Sequence, residues 1–209
     1  MKAGAVAAAL FVCATVFAQQ NQTLHLRIVV CDHAGVEPEV LTKARNVASR
    51  IMMTAAVEIE WPDVGGGFKA GCDSEDPLFD PSKWPTNSYY LIAILPEILP
   101  KSATTDVMGY APVARSNYPR AYVFYNRVKS FSDLMEGMST QSGNGIVLGH
   151  VMAHEIGHLL IPEDAHTKTG IMRGDWDHQQ WKEALMGRLV FTRSQAKRIR
   201  SNYESRFFP

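Results

Sequence analysis

The sequence predicts an α+β (mixed α/β) domain: a twisted mixed sheet of about five strands with a helix over Ile146–Leu160 that carries the candidate site and a C-terminal helical part. Three observations predict it. Short β-branched or aromatic runs recur in the first two thirds of the chain, apolar spacing with a helical period interrupts and then replaces them, and Pro or Gly marks the junctions. The 209 residues are 46% hydrophobic and 20% charged, enough apolar material for one globular core and too much for a disordered chain. Lys+Arg and Asp+Glu are both 21, so the net charge is zero. That balance argues against nucleic-acid binding driven by counterion release. No GxxxxGK[ST] or GxGxxG element points to a nucleotide.

Residues 1–18 read as a signal peptide: Lys2, an apolar run from Ala3 to Ala18, then polar Gln19-Gln20-Asn21-Gln22. The run is short for a membrane span, which needs about 20 apolar residues. The expected mature domain therefore spans 19–209 and is secreted or periplasmic, with no membrane partner after signal removal. Cys31 and Cys72 are then its two cysteines, open to a disulfide or to two buried thiols.

Each element follows from local pattern. Leu24–Val30 is β-branched and partly alternating, a strand. Pro38 to about Ala56 carries Val40, Leu41, Ala44, Val47, Ala48, Ile51 and Met52 at helical spacing. Val57–Trp61 alternates and forms a second strand, and residues 65–85 form a long loop. Tyr89–Leu95 is a third, buried strand. Met108–Ala114 is extended but contains Pro112, which places it at a sheet edge. Ala121–Val128 reads as a central strand, followed by a polar loop with Gly143 and Gly145. Ile146–Leu160 is helical and ends before Pro162. Gln179 to about Leu189 is helical, and Thr192-Arg193-Ser194-Gln195 is a capping box that opens a last helix to about Arg206.

The chemistry lies in His154-Glu155-Ile156-Gly157-His158, an HExxH run on the predicted helix. Four residues apart, the two imidazoles project from one face about 6 Å apart along the axis, so both ring nitrogens can reach one zinc ion. Glu155 is turned about 100° from His154, in reach of a water on that ion without ligating it. A catalytic zinc needs a third protein ligand. His166 follows His158 by eight residues, Asp164 by six, and Glu183 stands on the next helix. Imidazole is the best zinc donor on offer, which ranks His166 first, Asp164 second and Glu183 third. His150 lies too far along the helix to share the ion.

This run resembles the metzincin zinc endopeptidases, whose pattern is HExxHxxGxxH (or D) followed by a turn bearing a methionine below the metal. Thr169-Gly170-Ile171-Met172 is similar to that turn, with Met172 as its floor. The sequence departs from the pattern at Ile161, where the family has glycine, and a His166 ligand makes the connection two residues longer. The resemblance implies a zincin-like fold in a divergent secreted bacterial branch. It implies one catalytic Zn²⁺ on His154, His158 and His166, with Glu155 activating the zinc-bound water. It also implies a peptide or protein substrate pairing with the edge strand at Gly109, Tyr110 and Ala111. No segment resembling the family's latency propeptides fits between Ala18 and the first strand, so activity without a cysteine switch is expected. The resulting expectation is an exported, monomeric zinc metalloendopeptidase. A non-catalytic zinc-binding module that captures a peptide or protein is the competing reading, and the intact Glu155 argues against it. Tyr110, Tyr122 and Tyr125 are candidate oxyanion donors, while Trp176 and Trp181 read as packing aromatics.

Overall fold

The computed structural model describes residues 23–62, 72, 89–97, 107–112, 119–134, 140–161 and 165–207. The signal segment, the loop 65–85 apart from residue 72, and Asp164 lie outside them. Five strands and five helices occur among the described residues: β1 (Leu24–Asp32), α1 (Pro38–Met53), β2 (Val57–Glu60), β3 (Tyr89–Leu95), β4 (Gly109–Tyr110), β5 (Arg120–Phe124), α2 (Tyr125–Leu134), α3 (Gln141–Leu160), α4 (His178–Leu185) and α5 (Arg193–Phe207). The domain is mixed α/β.

The strands form one sheet in the order β2-β1-β3-β5-β4. All neighbours run parallel except β4, which is antiparallel to β5 through Gly109↔Val123 and Tyr110↔Tyr122. Leu24, Leu26, Ile28 and Val30 of β1 face α1 and α3, in the main core. Val29 and Cys31 face the other way, with Leu91, Ala93, Leu95, Tyr122 and Phe124. Strands buried on both faces lose the hydrophobic–polar alternation, which is why β3 reads as an unbroken apolar run.

The helix α3 lies against the sheet and α1. Fifteen of its twenty residues are buried. An added Cβ at Gly149 would stand 2.6 Å from the Ala44 carbonyl oxygen, and one at Gly145 would stand 2.7 Å from the Lys43 Cβ. These glycines therefore let two helix backbones approach closely. They belong to α3, which begins at Gln141 behind an N-cap in which Thr140 accepts from the Gly143 amide at 3.0 Å. The polar loop expected there is thus helix, because glycine that serves packing looks like glycine that serves a turn.

A second boundary also moves. The strand expected over Ala121–Val128 stops at Phe124, and Tyr125 opens α2. Tyr125 and Val128, three residues apart, are both buried, which is helical spacing inside a short apolar run that periodicity alone leaves ambiguous. Helix α1 ends at Met53 and α4 at Leu185, each a few residues earlier than their spacing suggests. The capping box at α5 is present: Gln195 N donates to Thr192 Oγ1 (3.3 Å) and Thr192 N donates to Gln195 Oε1 (2.8 Å).

Cys31 and Cys72 form a disulfide that ties residue 72 to the face of the sheet opposite α3. It closes a loop with a sequence separation of 41. Replacing both cysteines by alanine is expected to cost about 3–4 kcal/mol of stability through the freer unfolded chain, read from the urea midpoint. An unchanged midpoint would show that the link adds nothing.

Candidate metal centre

His150, His154 and Glu155 are the buried polar side chains of α3. Of the three, His154 joins His158 one turn on, and His166 reaches the pair from the segment after the helix. One ligand atom from each of His154, His158 and His166 lies within 4.8 Å of the others. His158 Nε2 is 3.0 Å from His154 Nε2 and 3.0 Å from His166 Nε2. Three nitrogens each 2.0–2.1 Å from one tetrahedral ion stand about 3.3 Å apart, so the two separations from His158 are close to those around a bound zinc.

The protonation states agree. His154 Nδ1 donates to the Ile171 carbonyl at 2.7 Å. A carbonyl only accepts, so the proton sits on Nδ1 and the Nε2 lone pair faces the other two rings. Burial holds the His154 imidazole down at about 4. Burial, with His154 and His166 as neighbours, holds His158 at about 3. Neutral imidazoles in a low-dielectric site are what a metal requires of its nitrogen donors.

Glu155, the residue after His154 on α3, packs against the sheet edge. A Cβ at Gly109 would meet Glu155 Oε1 at 2.5 Å, so the carboxyl packs directly on the β4 backbone. Glu155 Oε2 is buried and has no hydrogen-bond partner among the described residues. Burial pushes the carboxyl up to about 8. An uncompensated carboxyl costs folding free energy, and such groups cluster where function retains them. The residues present fit a zinc ion with a carboxylate beside it.

The chain after the helix folds back against α3. Met172 is fully buried, and a Cβ on Gly157 would overlap its Sδ. The turn is held by Gly170 at φ 73°, by Thr167 N donating to Met172 O (2.8 Å) and by Ile171 N donating to Val190 O (3.1 Å). Gln195 Nε2 donates to Thr167 Oγ1 (2.6 Å) and to the Thr169 carbonyl (2.7 Å), which anchors the turn to the first turn of α5. An open depression of about 660 Å³ adjoins His166, lined in part by Lys168, Arg173 and Asp175.

The structure thus brings together His154, His158, His166, Glu155, Met172 and Gly109. Tyr110 is exposed on β4, and Ala111 follows it directly. It separates the other candidates. Glu183 lies outside the histidine group and receives a hydrogen bond from Gln179 Nε2 at 3.4 Å. His150 bonds the Ile146 carbonyl through Nδ1 (2.8 Å). Tyr122 belongs to the apolar cluster on the far face, and the Tyr125 hydroxyl donates to Glu37 Oε2 at 2.8 Å, so neither phenol serves this site. Sequence reasoning missed the Ile171 carbonyl, which has no side-chain signature, and Gly157, whose role appears only with Met172 beside it.

The chain was compared with protein-family models, curated proteins and solved structures. No family model, no curated protein and no solved structure matches it. Any functional reading therefore stands on the site.

The raised Glu155 value has a consequence for stability. Its protonated form favours the fold, a contribution fully present below about 4.5 and lost as pH rises through about 8. Zinc-free Glu155→Gln escapes that loss. Its stability advantage over wild type should be wider at about pH 8 than at about pH 5 in urea unfolding. Equal gaps at the two pH values would contradict the burial of an unpaired carboxyl.

Proposed function

We propose that the chain is an exported, zincin-like zinc metalloendopeptidase. The observation that carries this reading is the convergence of the His154, His158 and His166 Nε2 atoms beside a buried carboxyl that lies against an edge strand. The antiparallel β4 at the rim of an otherwise parallel sheet, the buried helix α3 and the Met172 floor all support a metzincin-like arrangement. The Cys31–Cys72 disulfide supports an oxidising compartment, as the signal-like first 18 residues do.

His154, His158 and His166 would hold the ion through Nε2. When bound, zinc supplies a Lewis acid for the scissile carbonyl and lowers the pKa of its coordinated water toward about 7. The chain's own groups do the rest. Glu155 accepts a proton at a carboxylate oxygen and delivers it to the departing amine. Its contact with Gly109 sets that oxygen next to β4, where an extended peptide pairs along the side of Gly109, Tyr110 and Ala111 that no described strand covers. Main-chain pairing there positions a scissile bond near the carboxyl with loose sequence preference. The depression beside His166 offers room for a substrate side chain.

A mixed peptide library tests this. The wild type should cleave it, and Glu155→Gln should keep its zinc while losing about 10²–10⁴-fold in rate. A fully active Glu155→Gln would overturn the mechanism, and a zinc-loaded wild type that cleaves nothing would favour a non-catalytic peptide-binding module.

A further inference from the structure

We propose that Trp176 is a positioning residue of the metal centre: it orients His154 through a carbonyl the two side chains share, so that metal affinity depends on its indole N–H. The inference rests on the metal reading above and adds a residue to it.

The Ile171 carbonyl accepts two hydrogen bonds, from His154 Nδ1 at 2.7 Å and from Trp176 Nε1 at 3.1 Å. Both of its lone pairs are thereby used, and its direction is set from two sides. The peptide around it is pinned as well, by Ile171 N to Val190 O and by Thr167 N to Met172 O. The Trp176 ring also stands edge-to-face with His154, centroids 5.4 Å apart at 85°. Trp176 therefore restrains His154 twice, once through the acceptor of its Nδ1–H and once through the wall beside its ring. A ligand held in one orientation loses less freedom when it binds metal, which is how partners behind the ligands tune affinity.

A core-filling role fits Trp181 better. Trp181 is fully buried, stacks with Phe131 at 4.2 Å, and its Nε1 has no hydrogen-bond partner among the described residues. Trp176 is only half-buried. Trp176 spends its N–H on the one carbonyl that already serves His154.

Zinc affinity of the purified full-length chain, measured by competition with a chromophoric chelator, tests the proposal. Trp176→Phe keeps an aromatic wall and loses the N–H, and should bind zinc about 10–100-fold more weakly. Its cobalt-substituted form should show a shifted visible spectrum. Trp181 stands edge-to-face with Trp176, centroids 4.8 Å apart; Trp181→Phe keeps an aromatic ring there, removes an N–H that bonds nothing among the described residues, and should keep wild-type affinity and spectrum. Wild-type affinity in Trp176→Phe overturns the proposal and leaves the metal centre standing, as does an equal loss in Trp181→Phe. A wild type that binds no zinc overturns both. If Trp176→Phe does not fold, the wild type carries the test. Zinc on His154 makes its Nδ1–H a stronger donor to the shared carbonyl, so the Trp176 indole N–H resonance should move on metal addition; an unmoved resonance overturns the proposal.

Discussion

With fifteen of its twenty residues buried, α3 has to carry His150, His154 and Glu155 into a region of low dielectric, and the surrounding chain is arranged around that demand. A buried polar group without a partner is costly, so each of these side chains must either be satisfied or be kept for a purpose. His150 and His154 each give Nδ1–H to a carbonyl, Ile146 in one case and Ile171 in the other. Glu155 Oε2 meets no such partner among the described residues. His150 Nε2 likewise has no partner among the described residues, but its other ring nitrogen is bonded, whereas Glu155 is a whole carboxyl buried against β4.

The Ile171 carbonyl belongs to the turn that also supplies Met172, so one loop both accepts the His154 hydrogen bond and packs a methionine against Gly157. Its geometry depends on parts distant in sequence. Val190 receives the Ile171 amide, and Gln195 at the start of α5 clamps Thr167 and Thr169. The C-terminal helices thus fix the loop that bears the third histidine. From the other side, Gly145 and Gly149 allow α1 to press on α3 and hold the helix against the sheet. The result is a rigid helix meeting a braced loop, a suitable base for a site that tolerates little displacement.

Much of the site was legible in the sequence because it rests on spacing. His154, Glu155 and His158 share one helix, and four residues of helix fix their relation whatever the fold. His166 and Met172 were legible as candidates through chemistry and position, since imidazole outranks the carboxylates near it as a zinc donor. The sheet was legible where a strand has length, as in Tyr89–Leu95. It was less so at Phe124–Tyr125, where an aromatic run passes from strand to helix without a Gly or Pro to mark it. The first turn of α3 was hidden because Gly143 and Gly145 signal a loop in sequence, whereas Gly143 N is capped by Thr140 and Gly145 makes a close helix contact in space. The disulfide could not be decided from two cysteines alone, since pairing depends on a Cα–Cα approach of 5.2 Å that only the fold creates. Interactions made by backbone atoms, such as those of Ile171, leave no trace in residue identity.

Whether three histidines hold one zinc ion is read most directly from the metal content of the purified chain. About one zinc per wild-type chain is expected and far less in His166→Ala, with both proteins folded. One zinc per chain in both would remove His166 from the site, and none in a folded wild type would show that the three histidines hold no zinc.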